Sequence, residues 1–361
     1  MKKILFIIMI ILFIIGMRHT VLKEYDHTDN SAPASTENNE NSASDSVQPD
    51  LLNSSVKITA VGDCTLATDI NGAGAGSFVS EVLAQNDNYS YFLKNVRQYF
   101  ENDDLTIVNL EGTLSENGTR ADKQFAFRGK PEYVKILSDS SVEAANLANN
   151  HTHDYGSIAF SDTKLHLSDN GIACFEGLDV AMLEKNGIKI GLIGINALND
   201  THRSYLDKAM ERAKAENPDL IIVSFHWGIE KASSPTDLQV SLAHKAIDNG
   251  ADLVIGHHPH VLQGIEKYKD KYILYSLGNF CFGGNRNSSD KDTMIFKQEF
   301  TFRDGALVID DNISIIPCSI SSVTSRNNYQ PTPLTGAARD RVIKKITGYT
   351  ESLGNAVLNF E

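Results

Sequence analysis

Hydrophobic and polar positions divide this chain into three regimes. The first is an apolar run from Ile4 to Ile15, preceded by Lys2 and Lys3 and closed by Gly16 and Met17. The second, Glu24 to Asn53, is dominated by Ser, Asn, Asp, Glu and Thr, with almost no large apolar residues after Tyr25. From Val56 onward short apolar runs recur: VKITAVGD (56–63), LTIVNLEG (105–112), VEAANLANNH (142–151), IKIGLIGIN (188–196), LIIVSFHWG (220–228), ADLVIGHHPH (251–260) and KYILYSLGNF (271–280). Near-continuous runs of this length predict strands buried on both faces. Between them, NYSYFLKNVRQYFEN (88–102) has apolar residues at helical spacing, and KPEYVKILSDS (130–140) carries Pro131 near a helix start. SDTKLHLSDNG (161–171) and DLQVSLAHKAIDNGA (237–251) reach a glycine suited to a helix C-terminus. TMIFKQEFTFRDGALVI (293–309) alternates and turns at Asp304-Gly305, the pattern of an antiparallel hairpin. The last segment, GAARDRVIKKITGYTESL, predicts a terminal helix. Helices alternating with buried strands predict a layered α/β architecture. With no internal repeat and no strong break, residues 54–325 read as one domain and 326–361 as a helical extension.

The N-terminal run sets an expectation about location. As a helix, the 14 residues Ile4–Met17 rise about 21 Å, short of the ~30 Å hydrocarbon core of a bilayer. That length suits the apolar region of a secretory signal, yet RHTVLKEY offers no small-x-small cleavage site. Residues 1–22 are therefore expected to be an uncleaved signal anchor in the cell membrane, with Lys2, Lys3 and Arg18 snorkelling. Residues 23–53 are too poor in apolar groups to offset the entropy of ordering and read as a flexible stalk. The bulk of the chain then lies outside the cytoplasm; the alternative is a cleaved signal and a secreted protein.

Composition narrows the partners. The chain has 361 residues, 41% hydrophobic, with 33 basic against 46 acidic residues and a net charge of −13. That balance argues against nucleic acid and against a basic patch docked on anionic lipid. The four cysteines, Cys64, Cys174, Cys281 and Cys318, form no CxxC pair, which excludes a zinc knuckle. Outside the cell they could form disulfides; Cys64, following a strand, reads as a buried thiol.

Metal-type side chains fall mainly at the ends of the predicted strands: Asp63, Glu111, Asn150 with His151, His226, and His257, His258 and His260. In open α/β sheets ligands collect beyond the carboxyl ends of the strands. Carboxylate, amide and imidazole groups gathered on one rim would suit Mn, Fe or Zn, whereas all-oxygen sets suit Ca and Mg. Along an extended GHHPH, His258 and His260 share a face and His257 points away, toward a supporting carboxylate. Asp154 is placed to orient His151, and Arg128 to reach an anionic substrate. Glu230 and Asn279 are candidates for supporting hydrogen bonds.

VGDCTL, NLEGTLS, FAFRGKPEY, NLANNHTHDYG, SFHWGIE, GADLVIGHHPHVLQGIE and YILYSLGNF occur in this order. Together, over roughly residues 56–320, they resemble the bacterial capsule-synthesis CapA family, whose founding members belong to poly-gamma-glutamate capsule systems. That family is similar to calcineurin-like metallophosphoesterases. The resemblance implies a four-layer α-β-β-α sandwich with a metal pair at the strand ends, held by Asp63, Asn150, His226, His258 and His260, with His151 beside it. Thr65 stands where the phosphoesterase pattern has a histidine, and Glu111 where it has a bridging aspartate. Two functions are implied. One is a subunit that makes, exports or anchors an anionic polymer such as poly-gamma-glutamate, beside membrane-bound synthesis subunits. The other is a metal-dependent hydrolase acting on a phosphoester or amide bond of another envelope substrate.

Overall fold

The computed structural model describes residues 54–308, 312–354 and 356–361. The expected anchor and stalk lie outside them. Among the described residues no helix is long and apolar enough to cross a membrane.

The chain enters through β1 (Ser54–Thr65) and continues with β2 (Leu105–Leu110), β3 (Ala144–Asn146) and β4 (Ala173–Phe175). A second group follows: β5 (Ala181–Lys185), β6 (Ile188–Asn196), β7 (Leu220–His226), β8 (Leu253–His257), β9 (Ile265–Tyr268) and β10 (Lys271–Leu274). The last group is β11 (Asn279–Phe282), β12 (Asp292–Arg303), β13 (Ala306–Val308), β14 (Ile313–Ser319) and β15 (Thr332–Pro333). One nine-stranded sheet runs β15-β14-β12-β1-β2-β3-β4, with β11 also paired to β1 and β13 to β12. A six-stranded sheet runs β9-β10-β8-β7-β6-β5.

Alternation along the strands builds four layers. Val56, Ile58, Leu105 and Ile107 of the first sheet meet Ile190, Leu192, Ile222 and Ile255 of the second in one buried core. The opposite face of the first sheet packs Val108 and Leu110 against Phe78, Phe100, Ile136 and Leu167 from helical segments. The outer face of the second packs Ile193, Val223 and Phe225 against Leu206, Met210, Ala243 and Ile247 of the helices Tyr205–Ala215 and Asp237–Asp248. This is the expected α-β-β-α sandwich.

Several local expectations are revised. KYILYSLGNF is two strands in different sheets, β10 and β11, because the chain crosses between layers at 275–278 and Gly278 turns it with φ +72°. Residues 88–102 hold only short turns of helix, Tyr89–Tyr91 and Arg97–Phe100. The Asp304-Gly305 hairpin forms with both turn residues at positive φ and Arg303 facing Ala306. The helix Gly336–Glu351 buries Val342 and Ile346 in the inter-sheet core, while Arg341 grips Asp292 through two 2.6 Å contacts. The four cysteines are unpaired thiols, Cys174 half-buried and the others buried.

Candidate metal centre

Two polar rows close the C-terminal end of the inter-sheet core. In the first sheet Asn279, Asp63, Asn109 and Asn146 are in-register neighbours on β11, β1, β2 and β3. In the second, Asn196, His226 and His257 are neighbours on β6, β7 and β8. Each residue continues the face whose earlier positions fill the core, as Ile107 precedes Asn109 and Ile255 precedes His257. Asp63 reaches that face through an irregularity: between Ala60 and Asp63, β1 advances one residue more than β2. A bulge of this kind shifts the side-chain parity, and without it Asp63 would face the helices. Gly62 sits within the irregularity because a Cβ there would lie 2.1 Å from the Gly278 carbonyl oxygen.

The rows meet at Asp63. One of its oxygens accepts from Asn109 Nδ2 (2.9 Å) and lies 3.2 Å from His257 Nδ1; the other lies 3.1 Å from His260 Nδ1 and accepts from the His258 backbone N–H (3.3 Å). Burial pushes its pKa up, but hydrogen bonds and charge from His257 and His260 outweigh this and hold it well below the usual range. Burial lowers His260 in turn, yet Glu111 and Asp63 prevail and raise it to about 9. Glu111, buried and facing the charge of Asp63, is pushed up to about 8. His226 is fully buried, its Nε2 2.7 Å from Asn150 Oδ1 and 3.9 Å from Glu111 Oε1, and burial followed by the charge of His258 holds its pKa far down.

His258 and His260 converge by another route than expected. The segment is not extended: His258 has φ +94° and His260 φ +57°, and this tight turn sets their rings 5.7 Å apart. His257 does not point away either, since it faces Asp63 within the site. Asn279 accepts from His260 Nδ1 (2.9 Å) and donates to the His260 carbonyl (3.2 Å), fixing that ring.

His151 stands beside the cluster. Its Nδ1 is 2.7 Å from Asp154 Oδ2, and Asp154 also accepts from Lys123 Nζ (2.7 Å) and the Phe127 backbone N–H (2.6 Å). A carboxylate only accepts, so Nδ1 carries the proton and Nε2 is the free atom. Burial, stronger than the opposing pull of Asp154, lowers the His151 pKa. Arg128 does not come to the cluster: its guanidinium lies 4.2 Å over the Tyr155 ring. The cations lining the adjoining cavity of about 470 Å³ are Lys231 and Arg286, and His151, His260, Glu230 and Asn279 also line it.

The donor set fits a divalent cation. Ligand atoms of Asp63, Glu111 and His260 lie within 4.8 Å of one another, as do those of Glu230, His258 and His260. Glu111 Oε2 and His258 Nδ1 are buried without a hydrogen-bond partner, groups that an ion would satisfy. Thr65 Oγ1 is buried and unpartnered in the same neighbourhood.

Sequence reading missed Asn109, Asn146 and Lys123. Asn109 donates to Asp63 and accepts from Asn146 Nδ2 (3.0 Å), so it braces the first sheet's row. A polar residue inside the apolar run LTIVNL was the available signal; Lys123, in a loop, carried none.

A four-layer sandwich with carboxylate and imidazole groups at the carboxyl ends of both sheets defines a metallophosphoesterase-like α/β protein. Residues 57–284 match the profile described as bacterial capsule synthesis protein PGA_cap, and the chain belongs to that family. It is 28% identical to the capsule biosynthesis protein CapA of Bacillus anthracis over 82% of this chain and 74% of that one. It is 31% identical to the PGA biosynthesis protein CapA of Bacillus subtilis (strain 168) over 61% of this chain and 64% of that one. Among solved structures, a hypothetical protein from Thermus thermophilus aligns at 17% identity and a TM-score of 0.42, covering 72% of this chain and 98% of that chain.

Proposed function

We infer that this protein acts in capsular poly-gamma-glutamate synthesis, export or anchoring, as a membrane-anchored subunit whose outer domain uses a divalent metal centre. The observation that carries this reading is the meeting of the two polar rows within the span matched to the capsule-synthesis family. The apolar N-terminal run and polar stalk support placement at the membrane, where an emerging polymer and membrane-bound synthesis subunits would be met. The O/N donor set favours Mn, Fe or Zn over Ca and Mg.

A bound ion supplies Lewis-acid polarisation of an acyl or phosphoryl oxygen. Asp63, Glu111, Asn150, His226, His258 and His260 would hold it. His151, neutral at pH 7 and fixed through Nδ1 by Asp154, offers Nε2 as a proton acceptor toward the cavity. Lys231 and Arg286 lie on a wall that also carries Asp69, Glu230 and Asp290, so an anionic chain would need the charge of a bound ion there as well.

The test is complementation in the producing organism. Surface polymer should vanish on deletion, return with the wild-type gene, and fail to return with Asp63→Ala or His258→Ala expressed at equal level. Polymer unaffected by deletion overturns the capsule reading; full rescue by both variants removes the metal centre from the role. The His151–Asp154 pair beside the cluster favours a second reading, a metal-dependent hydrolase of another envelope substrate. Hydrolysis of a phosphoester or amide panel by purified protein with Mn(II) or Zn(II), lost in His151→Ala, would support it.

A further inference from the structure

The geometry points to Glu230 as a metal ligand of this centre, completing an outer seat with His258 and His260. This rests on the metal-centre reading above. Asp63, Glu111 and His260 form the inner triad. Glu230 has its carboxylate within 4.8 Å of ligand atoms on His258 and His260. His258 is 7% exposed, and its Nδ1 has no hydrogen-bond partner. An unpartnered buried imidazole nitrogen beside a carboxylate is what a seat for a cation requires.

Glu230 is exposed, yet its loop is built. The Trp227 backbone N–H donates to the His257 carbonyl (3.1 Å), and the Lys231 N–H donates to the Pro259 carbonyl (2.8 Å). These two bonds bracket Glu230 and tie its loop to the His-Pro-His turn. Gly228 takes φ +80°, and a Cβ there would meet the Gln239 side chain at 2.5 Å. Gln239 Nε2 donates to Gln263 Oε1, and Gln263 Nε2 donates to the Ala232 and Ser234 carbonyls, pinning the far side of the loop. The backbone that carries Glu230 is thus held by contacts on both sides.

A carboxylate on the solvent side and two imidazoles behind it place an ion at the cavity, where Glu230 and His260 both line the wall. His260 belongs to both the outer and the inner triad.

The test measures Mn(II) binding to the full-length protein in detergent, by equilibrium dialysis with metal analysis and by electron paramagnetic resonance, without reference to activity. Glu230→Gln should weaken Mn(II) about tenfold to a hundredfold and change the spectrum, with Glu230→Asp in between. The substitution is at an exposed position, and an unchanged thermal melt of the metal-free variant checks the fold. Wild-type affinity and spectrum in Glu230→Gln overturn the assignment while leaving the metal centre standing. No Mn(II) or Zn(II) bound by the wild type overturns both.

Discussion

At the scale of single residues, the site is defined by buried groups that the protein itself leaves unsatisfied. Asn109 holds the arrangement together, since its amide donates toward Asp63 and accepts from Asn146. Asn109→Ala should cost about 2–3 kcal/mol in urea unfolding of the metal-free protein, because buried partners lose their bonds and no water reaches them easily. It should weaken Mn(II) binding as well. Gly62→Ala is the sharper steric test, since the new methyl would meet the Gly278 carbonyl; a loss of about 2 kcal/mol or more is expected from the same measurement.

At the scale of elements, the far end of the first sheet titrates differently from the site. Glu143 accepts from the Thr106 N–H at the start of β2, and burial together with the charge of Asp103 raises it to about 7. An acid with a raised folded-state pKa favours folding most while protonated. Its contribution is therefore complete below its ordinary value of 4.5 and is lost as pH rises through about 7. Glu143→Gln stays neutral, so relative to wild type it should gain stability between pH 5 and pH 8, on the order of 1 kcal/mol after solvent screening. Urea unfolding at the two pH values checks this; a gap independent of pH would contradict it. The elements also show where patterning misled. KYILYSLGNF has the composition of one strand, but its halves serve different sheets, and β11 exists to pair with β1 beside Asp63. The helix expected over 88–102 is broken: between Tyr89–Tyr91 and Arg97–Phe100 the chain turns, and Phe92, Leu93 and Val96 are buried there in the same core as Phe100.

At the scale of the whole molecule, the inter-sheet core ends in a polar lid, and ion binding should be visible as stability. An ion at a hundred times its dissociation constant adds about 2.7 kcal/mol to a folded state that binds it. Mn(II) or Zn(II) should raise the unfolding temperature, a chelator should reverse this, and His258→Ala should abolish the shift. One inter-sheet core runs from Val56 in β1 to Ile315 in β14 and takes in Val342 and Ile346 of the last helix, so residues 54–361 alone should unfold cooperatively in solution. On the membrane-anchored reading proposed above, cells that lack residues 1–53 should keep a folded domain in the cytoplasm and make no polymer.

Strand composition alone determined the layered α/β class, because strands buried on both faces must be apolar throughout and their ends then stand out as polar. The order of motif blocks carried the family, and the strand-end rule gathered Asp63, Glu111, His226, His258 and His260 as one set. Which side chains touch was decided only by tertiary structure. A one-residue irregularity in β1 turns Asp63 inward, two positive-φ histidines replace the extended His-Pro-His, and pairing across strands distant in sequence sets Asn109 between Asp63 and Asn146. Arg128, read as reaching the site, stacks on Tyr155, and Glu230 comes beside two histidines through backbone bonds between loops. Periodicity fixes the face of a residue within its own element, whereas these contacts depend on register and loop closure between elements.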